Sequence, residues 1–259
     1  MARWLLDCAP LCGHLWRIGV ATEAAEREAA YRLRHRVFVE EIGYRGGAIG
    51  DGLDRDDFDE WCDHLILIDS PSGELLGTYR AIWGGDAVGR GGLYGGSQFD
   101  LSALDPIAPQ ILQGGRTCVA AAHRNGPAIQ YLSSGMELLL RERGARYFLG
   151  AESFRVEESP RLNVIHSYLR SFGADPDWFA PAHPAAAIPG LEIVPVSAAD
   201  ERTLPGIIRM DLRMGFLACS APAWDADFGC YDVLMLGRHD RLTRTYAAFI
   251  DRIERNLPT

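Results

Sequence analysis

The residues best suited to chemistry sit around a strand-to-helix junction. Thr117-Cys118-Val119 is a short, β-prone, apolar run, and Asn125-Gly126-Pro127-Ala128 follows soon after it. Asn125 suits a helix N-cap, Pro127 suits the first turn, and Gly126 lets a ligand approach the backbone. Free N–H groups and the positive dipole end at such a junction favour an anion, typically a phosphate. An ordinary helix start containing a glycine would have the same composition.

A second group of candidates is charged. Between Gly43 and Glu60 lie Asp51, Asp54, Asp56, Asp57, Asp59 and Glu60. The spacing does not fit an EF-hand loop. The run reads first as solvated surface, and second as a gate attracting a cationic amine. Arg32, Arg34 and Arg36 fall near the C-terminal end of a helical pattern, where solvated cations complement the dipole. A functional alternative has one of them facing a phosphate or carboxylate. Arg80 and Arg116 lie inside strand patterns, so each must find a carboxylate partner. His64 and Asp69 have the spacing of an H-x4-D acyltransferase pair, but five residues along a strand put them on opposite faces.

Composition excludes several chemistries. All 26 basic residues are arginine, which removes Walker-A phosphate binding, Schiff-base catalysis and pyridoxal phosphate. A formal charge of −9 argues against a nucleic-acid surface. The six cysteines are scattered and read as reduced cytosolic thiols. Cys8 and Cys12 could begin a metal site, but no second pair at ligand spacing follows, so no metal is expected. No cofactor is expected either. Gly84–Gly96 fails the dinucleotide fingerprint, because Tyr94 occupies its last glycine position. The N-terminus has no signal-peptide h-region, and no apolar run approaches the ~20 residues that span a bilayer.

The positioning elements alternate strand and helix. Strands are expected at 15–20, 64–69, 75–83, 117–119, 147–151, 192–196 and 230–236. Helices are expected from a Thr22 cap to about Ile42, from Asn125 to Leu140, and at 160–172, 204–216 and 239–256. In the second of these, Ile129, Leu132, Met136, Leu139 and Leu140 form one apolar face.

Several segments together carry a resemblance. They are Arg34-His-Arg-Val-Phe-Val-Glu-Glu, Asp56-Asp-Phe-Asp-Glu-Trp-Cys-Asp-His-Leu, Gly77-Thr-Tyr-Arg80, Ser97-Gln-Phe-Asp-Leu, Gly115-Arg-Thr-Cys-Val and Arg124-Asn-Gly. In this order they resemble the hemolysin-like acyltransferases, GNAT-fold enzymes that include the L-ornithine Nα-acyltransferases. Relatives of that family make acyl-homoserine lactones and N-acyl amino acids. The tail segments Leu204-Pro-Gly-Ile-Ile-Arg-Met-Asp-Leu-Arg-Met-Gly and Asp227-Phe-Gly-Cys-Tyr-Asp-Val are similar to the family's tail.

The resemblance implies an α/β (α+β) fold: a GNAT-like splayed mixed sheet flanked by helices. A core over 15–173 would be followed by a strand-and-helix extension over 174–259. It also implies direct attack of an amine, ornithine foremost, on a long-chain acyl thioester carried by acyl carrier protein or CoA. The donor would lie along Thr117, Cys118 and Val119, with its phosphate near His123, Arg124, Asn125, Gly126 and Ala128. Arg36, Asp59, Arg80, Asp100 and Arg116 would serve substrate binding or structure, with the acidic loop and Asp100 as partners of Arg80 and Arg116. A cytoplasmic protein follows, with peripheral membrane contact open because the product is lipid-like.

Two departures from the family matter. His123 takes the first position of the phosphate-loop pattern. Gln113 takes the place of the family's glutamate, and an amide cannot act as a base. Glu152-Ser153 closes the next strand, and in a splayed sheet the two strand ends face one cleft. The expectation is that Glu152 takes over as base, with Gln113 and Ser153 beside it, and that Gln113→Glu is tolerated or even activating because it restores the family's carboxylate. A water relay, or a module that binds acyl thioesters without turnover, remains the alternative.

Overall fold

The computed structural model describes residues 2–7, 14–46, 51–156, 159–241 and 243–255. Cys8 and Cys12 lie outside them. The chain forms two compact units. The first comprises Met1–Trp83, Gly114–Ala145 and Ala248–Thr259, and the second Gly84–Gln113 and Arg146–Ala247. Each unit thus draws on separated stretches of chain.

In the first unit, β1 (Arg3–Asp7), β2 (Trp16–Val20), β3 (Asp63–Asp69) and β4 (Leu75–Trp83) are consecutive antiparallel neighbours. Strand β5 (Ile111–Val119) follows β4 in the sheet order. Helix α1 (Ala24–Arg34) runs on as a π-helical stretch, His35–Ile42, and ends at Gly43 with φ 83°. Helix α2 covers Ala128–Arg143. Strand β3 is apolar on successive positions because both its faces are covered. Ile66 packs with Ala30 of α1, and Leu65 lies where α2 comes so close that a Cβ on Gly135 would sit 3.2 Å from it. Gly135 and Gly77 admit this approach. A Cβ on Gly77 would lie 2.9 Å from Leu132 of α2.

In the second unit, residues Ile111–Gln113 of β5 pair in parallel with Tyr147–Leu149 of β6 (Tyr147–Phe154). Strand β9 (Cys230–Arg238) runs antiparallel to β6 along its whole length. Two short strands, β7 (Leu217–Ala218) and β8 (Ala223–Asp225), also pair with β9. Helices α3 (Ser159–Tyr168) and α4 (Gly206–Met214) pack Leu162, Ile165 and Ile208 against Phe154, Val233 and Met235. Helix α5 (Arg244–Glu254) ends the described chain.

Three expectations need correction. Residues 192–196 form no strand, because side chains of α3 take their backbone N–H groups. Glu192 donates to Asn163 Oδ1 and Val194 to Ser167 Oγ. Asn125 is not the cap of α2: the N-cap is Pro127, with Asn125 inside the preceding turn. Glu23, rather than Thr22, caps α1, in a capping box with Glu26.

Candidate active site

Pairing register sorts the sheet residues of the second unit onto two faces. Gln113 is opposite Leu149 and therefore shares a face with Leu149, Ala151 and Ser153. Phe148, Gly150, Glu152 and Phe154 occupy the other face. A Cβ on Gly150 would meet Glu152 Oε1 at 2.8 Å, and Phe154 lies in the α3/α4 core. Glu152 and Gln113 therefore do not meet, which removes the expectation that Glu152 replaces the missing base beside Gln113. Glu152 is instead hydrogen-bonded to Asp211 of α4. Burial, and for Asp211 the Glu152 charge, push both carboxyls well above their usual range.

Gln113 is fully buried. Its Oε1 accepts from the Tyr94 N–H at 2.7 Å, and its Nε2 donates to the Tyr94 carbonyl at 2.8 Å. The residue holds a loop, and both ends of its amide are engaged. On the same face, Ser153 Oγ donates to Asp232 Oδ1 at 2.6 Å. Asp100 caps its own turn, accepting from the Ser102 N–H, and is exposed.

The first unit holds a buried network of three arginines and three aspartates. Arg34 Nη1 and Nη2 donate to the two oxygens of Asp59 at 2.7 and 2.9 Å, and its Nε donates to Asp54 at 2.8 Å. Arg80 Nη1 donates to Asp56 at 2.6 Å and to Asp59 at 3.2 Å. Arg116 lies 3.4 Å from Asp54 and 3.5 Å from Asp56, and it donates to the Tyr44 hydroxyl at 2.9 Å. Asp56 is the most exposed carboxylate of the three, at 25% against 3% for Asp54 and Asp59. Burial alone would raise the Asp59 pKa. The Arg34 hydrogen bonds and the charges of Arg34 and Arg80 outweigh burial and hold this carboxyl well below the usual carboxylate range. His64 lies against Tyr31, and burial pulls its pKa down to about 4, so it is neutral at physiological pH.

Arg116 is the single non-glycine residue at positive φ among those described, at 51°. A left-handed residue inside a strand kinks it and costs roughly 1–2 kcal/mol. The kink follows Gly114-Gly115, and the network holds its side chain.

The expected pairing of Arg80 and Arg116 with the acidic loop is present. The solvated reading fails for Asp54, Asp56 and Asp59, and likewise for Arg34. Arg36 is exposed and lies outside the network. Helical periodicity carried the signal for Arg34, since Ala30, Leu33, Arg34 and Val37 share the buried side of the helix.

Asp59, Cys62 and His64 present ligand atoms within 4.8 Å of one another. The Asp59 carboxylate already serves two guanidinium groups, so a metal cation would have to displace them. Burial pushes the thiols of Cys62, Cys118, Cys219 and Cys230 up to about 12, which leaves no thiolate nucleophile among the described cysteines.

At the junction before α2, Arg124 donates to the Val119 carbonyl at 2.9 Å and pairs with Glu41 at 2.6 Å. His123 lies edge-on to Trp16. Cys118 and Val119 are buried, Thr117 is half-buried and Ala128 is buried, while Asn125 and Gly126 are exposed.

The model of the GNAT acetyltransferase domain matches residues 33–134. That span holds the last residues of α1 and its π-helical continuation, the arginine–aspartate network, kinked β5 and the start of α2. Two solved structures share the architecture: the acyl-homoserine-lactone synthase LasI and FeeM, an N-acyl amino acid synthase from uncultured soil microbes. LasI superposes with TM-score 0.54 at 10% identity, covering 95% of this chain and 98% of that one. FeeM superposes with TM-score 0.52 at 14% identity, covering 90% and 97%. This is a GNAT-like fold. Among curated proteins, the L-ornithine Nα-acyltransferase of Rhodobacter capsulatus is 28% identical, over 95% of this chain and 98% of its own length. That of Agrobacterium fabrum is 29% identical over 84% and 78%. The GNAT resemblance carried by the short motifs thus extends over essentially the whole chain. No described helix is long and apolar enough to cross a membrane.

Proposed function

We propose that this GNAT-fold chain is an N-acyltransferase, moving a long-chain acyl group from acyl carrier protein or CoA to the α-amino group of ornithine. The observation that carries this is its similarity, nearly end to end, to L-ornithine Nα-acyltransferases. The chemistry fits the residues. With protonated thiols and no lysine, the amine attacks the thioester carbon directly, and the thiol leaves from a tetrahedral intermediate. The acyl arm runs along Thr117-Cys118-Val119, and its phosphate sits at His123–Ala128. Exposed Gly126 leaves room there, since a Cβ would meet only the His123 carbonyl, at 3.5 Å.

The network of Arg34, Arg80 and Arg116 chiefly fixes the kinked strand. Asp56, the carboxylate that solvent reaches best, supplies negative charge for an ammonium. A lipid-like product leaves room for peripheral contact with a membrane.

The absence of a basic atom at Gln113 favours a second possibility, a module that binds acyl thioesters without turnover. Incubating the protein with long-chain acyl carrier protein or acyl-CoA and a panel of amino acids, then searching for the amide by mass spectrometry, decides between them. Amide with ornithine supports the proposal, and donor binding without amide supports the second.

A further inference from the structure

A cleft of about 310 Å³ lies wholly within the second unit, at the end of α3. Helix α3 runs on there as a π-helical stretch, Leu169–Gly173, and such stretches recur at functional positions. Ala174 then bridges in parallel to Ala218 of β7, and Ala180 donates its N–H to the Cys219 carbonyl at 2.7 Å. The walls are mainly apolar: Leu169, Ala174, Ala218 and Ala221, with Phe179 left 52% exposed. The polar side chains that line the cleft are His166, Arg170 and Ser220, and no described carboxylate does so. Ser220 is 5% exposed, and its Oγ accepts from the Leu234 N–H at 2.9 Å, which leaves its own proton to donate. Arg170 is exposed, and among the described residues no carboxylate pairs with it. Burial and the Arg170 charge hold the His166 pKa below its ordinary value, so that ring is neutral at physiological pH. The acid next to Ala174 is engaged elsewhere: Asp175 Oδ1 accepts the N–H groups of Asp177 and Trp178.

We propose that this cleft binds a fatty carboxylate, its headgroup held by Arg170 and its chain laid on the apolar wall that Phe179 extends to solvent. The cleft offers donors and no acceptor, which selects an anion. Its charge is a single guanidinium beside a neutral imidazole, which matches a monoanion and leaves a phosphate dianion half unanswered. A carboxylate also meets two N–H donors of the guanidinium fork at once. Mostly apolar walls with a few polar groups are the usual make-up of a small-molecule site, and the volume is at the small end of that range, enough for a chain segment. An N-acyl amino acid fits less well, because its amide would be buried against a wall without partners for it. The site stands independently of the acyl-transfer reading.

The probe is decanoate, titrated calorimetrically into the full chain below the concentration at which it aggregates. Acetate and decyltrimethylammonium are titrated alongside it, and Arg170→Gln and Phe179→Ala are compared with the parent, with a melting curve for each. The parent should show a saturable decanoate site that Arg170→Gln weakens at least about tenfold and Phe179→Ala several-fold. Acetate and the alkyl cation should each bind at least about tenfold more weakly than decanoate. Arg170 and Phe179 are exposed, so both variants should fold. Should Phe179→Ala not do so, acetate against decanoate on the parent tests the apolar wall. Decanoate bound equally well by Arg170→Gln overturns the site, as does equal binding of the alkyl cation. Acetate as tight as decanoate reduces the cleft to a point charge and overturns it too. Capture of the parent but not of Arg170→Gln on phosphatidylglycerol vesicles, without decanoate binding, makes the cleft a contact for a lipid surface instead. Amide formation at the parent rate by Arg170→Gln separates the two proposals, since acyl transfer then stands whether or not decanoate binds.

Discussion

Gln113 clasps Tyr94 by both ends of its amide, accepting from its N–H at 2.7 Å and donating to its carbonyl at 2.8 Å. The side chain takes the place of a neighbouring strand for one residue of a glycine-rich loop. The family resemblance implied a carboxylate here, but the clasp needs a donor as well as an acceptor. We expect Gln113→Glu to destabilise the fold by about 2–4 kcal/mol, because a buried carboxylate would face the Tyr94 carbonyl. Urea unfolding at pH 7 measures it. A variant as stable as the parent would show that the clasp is dispensable.

The arginine–aspartate network makes a sharper stability prediction. Asp59→Asn leaves Arg34 and Arg80 buried beside a neutral amide and should cost about 3–5 kcal/mol. Arg32→Ala breaks an exposed pair with Glu28 and should cost under about 1 kcal/mol. Equal effects in chemical denaturation would contradict the energetic ranking of the two pairs.

Much of this was legible in sequence, for physical reasons that differ by element. The β3–β4 hairpin and α2 announced themselves because one turn, one cap region and a regular apolar period specify each locally. The network was half legible. Arg80 and Arg116 sit in strand patterns, where a lone charge demands a partner. Asp54 and Asp59 sit in an acidic loop that looks solvated until three arginines from distant segments converge on it. The error over Glu152 had another origin. Strand faces alternate residue by residue, and only the register of β5 on β6 reveals that Gln113, opposite Leu149, shares its face with Ser153 and not with Glu152. The supposed strand at 192–196 failed because α3 side chains capture its backbone.

Gly126→Val tests the donor site. No positive φ or close neighbour restrains Gly126, so the fold should survive with its melting temperature nearly unchanged. A β-branched side chain at the proposed phosphate position should weaken acyl-donor binding at least about tenfold. Titration with acyl-CoA and acyl carrier protein reads this, and unchanged affinity for both would move the donor elsewhere.

The two units respond to pH in opposite directions. The depressed pKa of His64 means that the unfolded chain takes up a proton first as pH falls below ~6.5. Stability should therefore drop by on the order of 3 kcal/mol between pH 6.5 and 4, with Asp59 adding further loss below about 4. Glu152 and Asp211 have raised pKa values, so their contribution is present at low pH and lost as pH rises through neutrality. Asp211→Asn should consequently gain stability over the parent at pH 9 and gain less, or lose, at pH 5. Thermal melts of both proteins at the two pH values are enough, and a difference independent of pH would separate the pair from the alkaline limb.

The guanidinium network has one more consequence, which concerns what the protein does not do to itself. Each of its 26 lysine-or-arginine positions is an arginine, including the three whose side chains are buried in the network. A guanidinium stays protonated and delocalised and is a poor nucleophile, whereas a lysine amine would compete for any activated acyl group held nearby. On the proposed function, a protein that presents long-chain thioesters to amines carries no side-chain amine of its own to be acylated. Charge is supplied throughout in a form the reagent cannot consume.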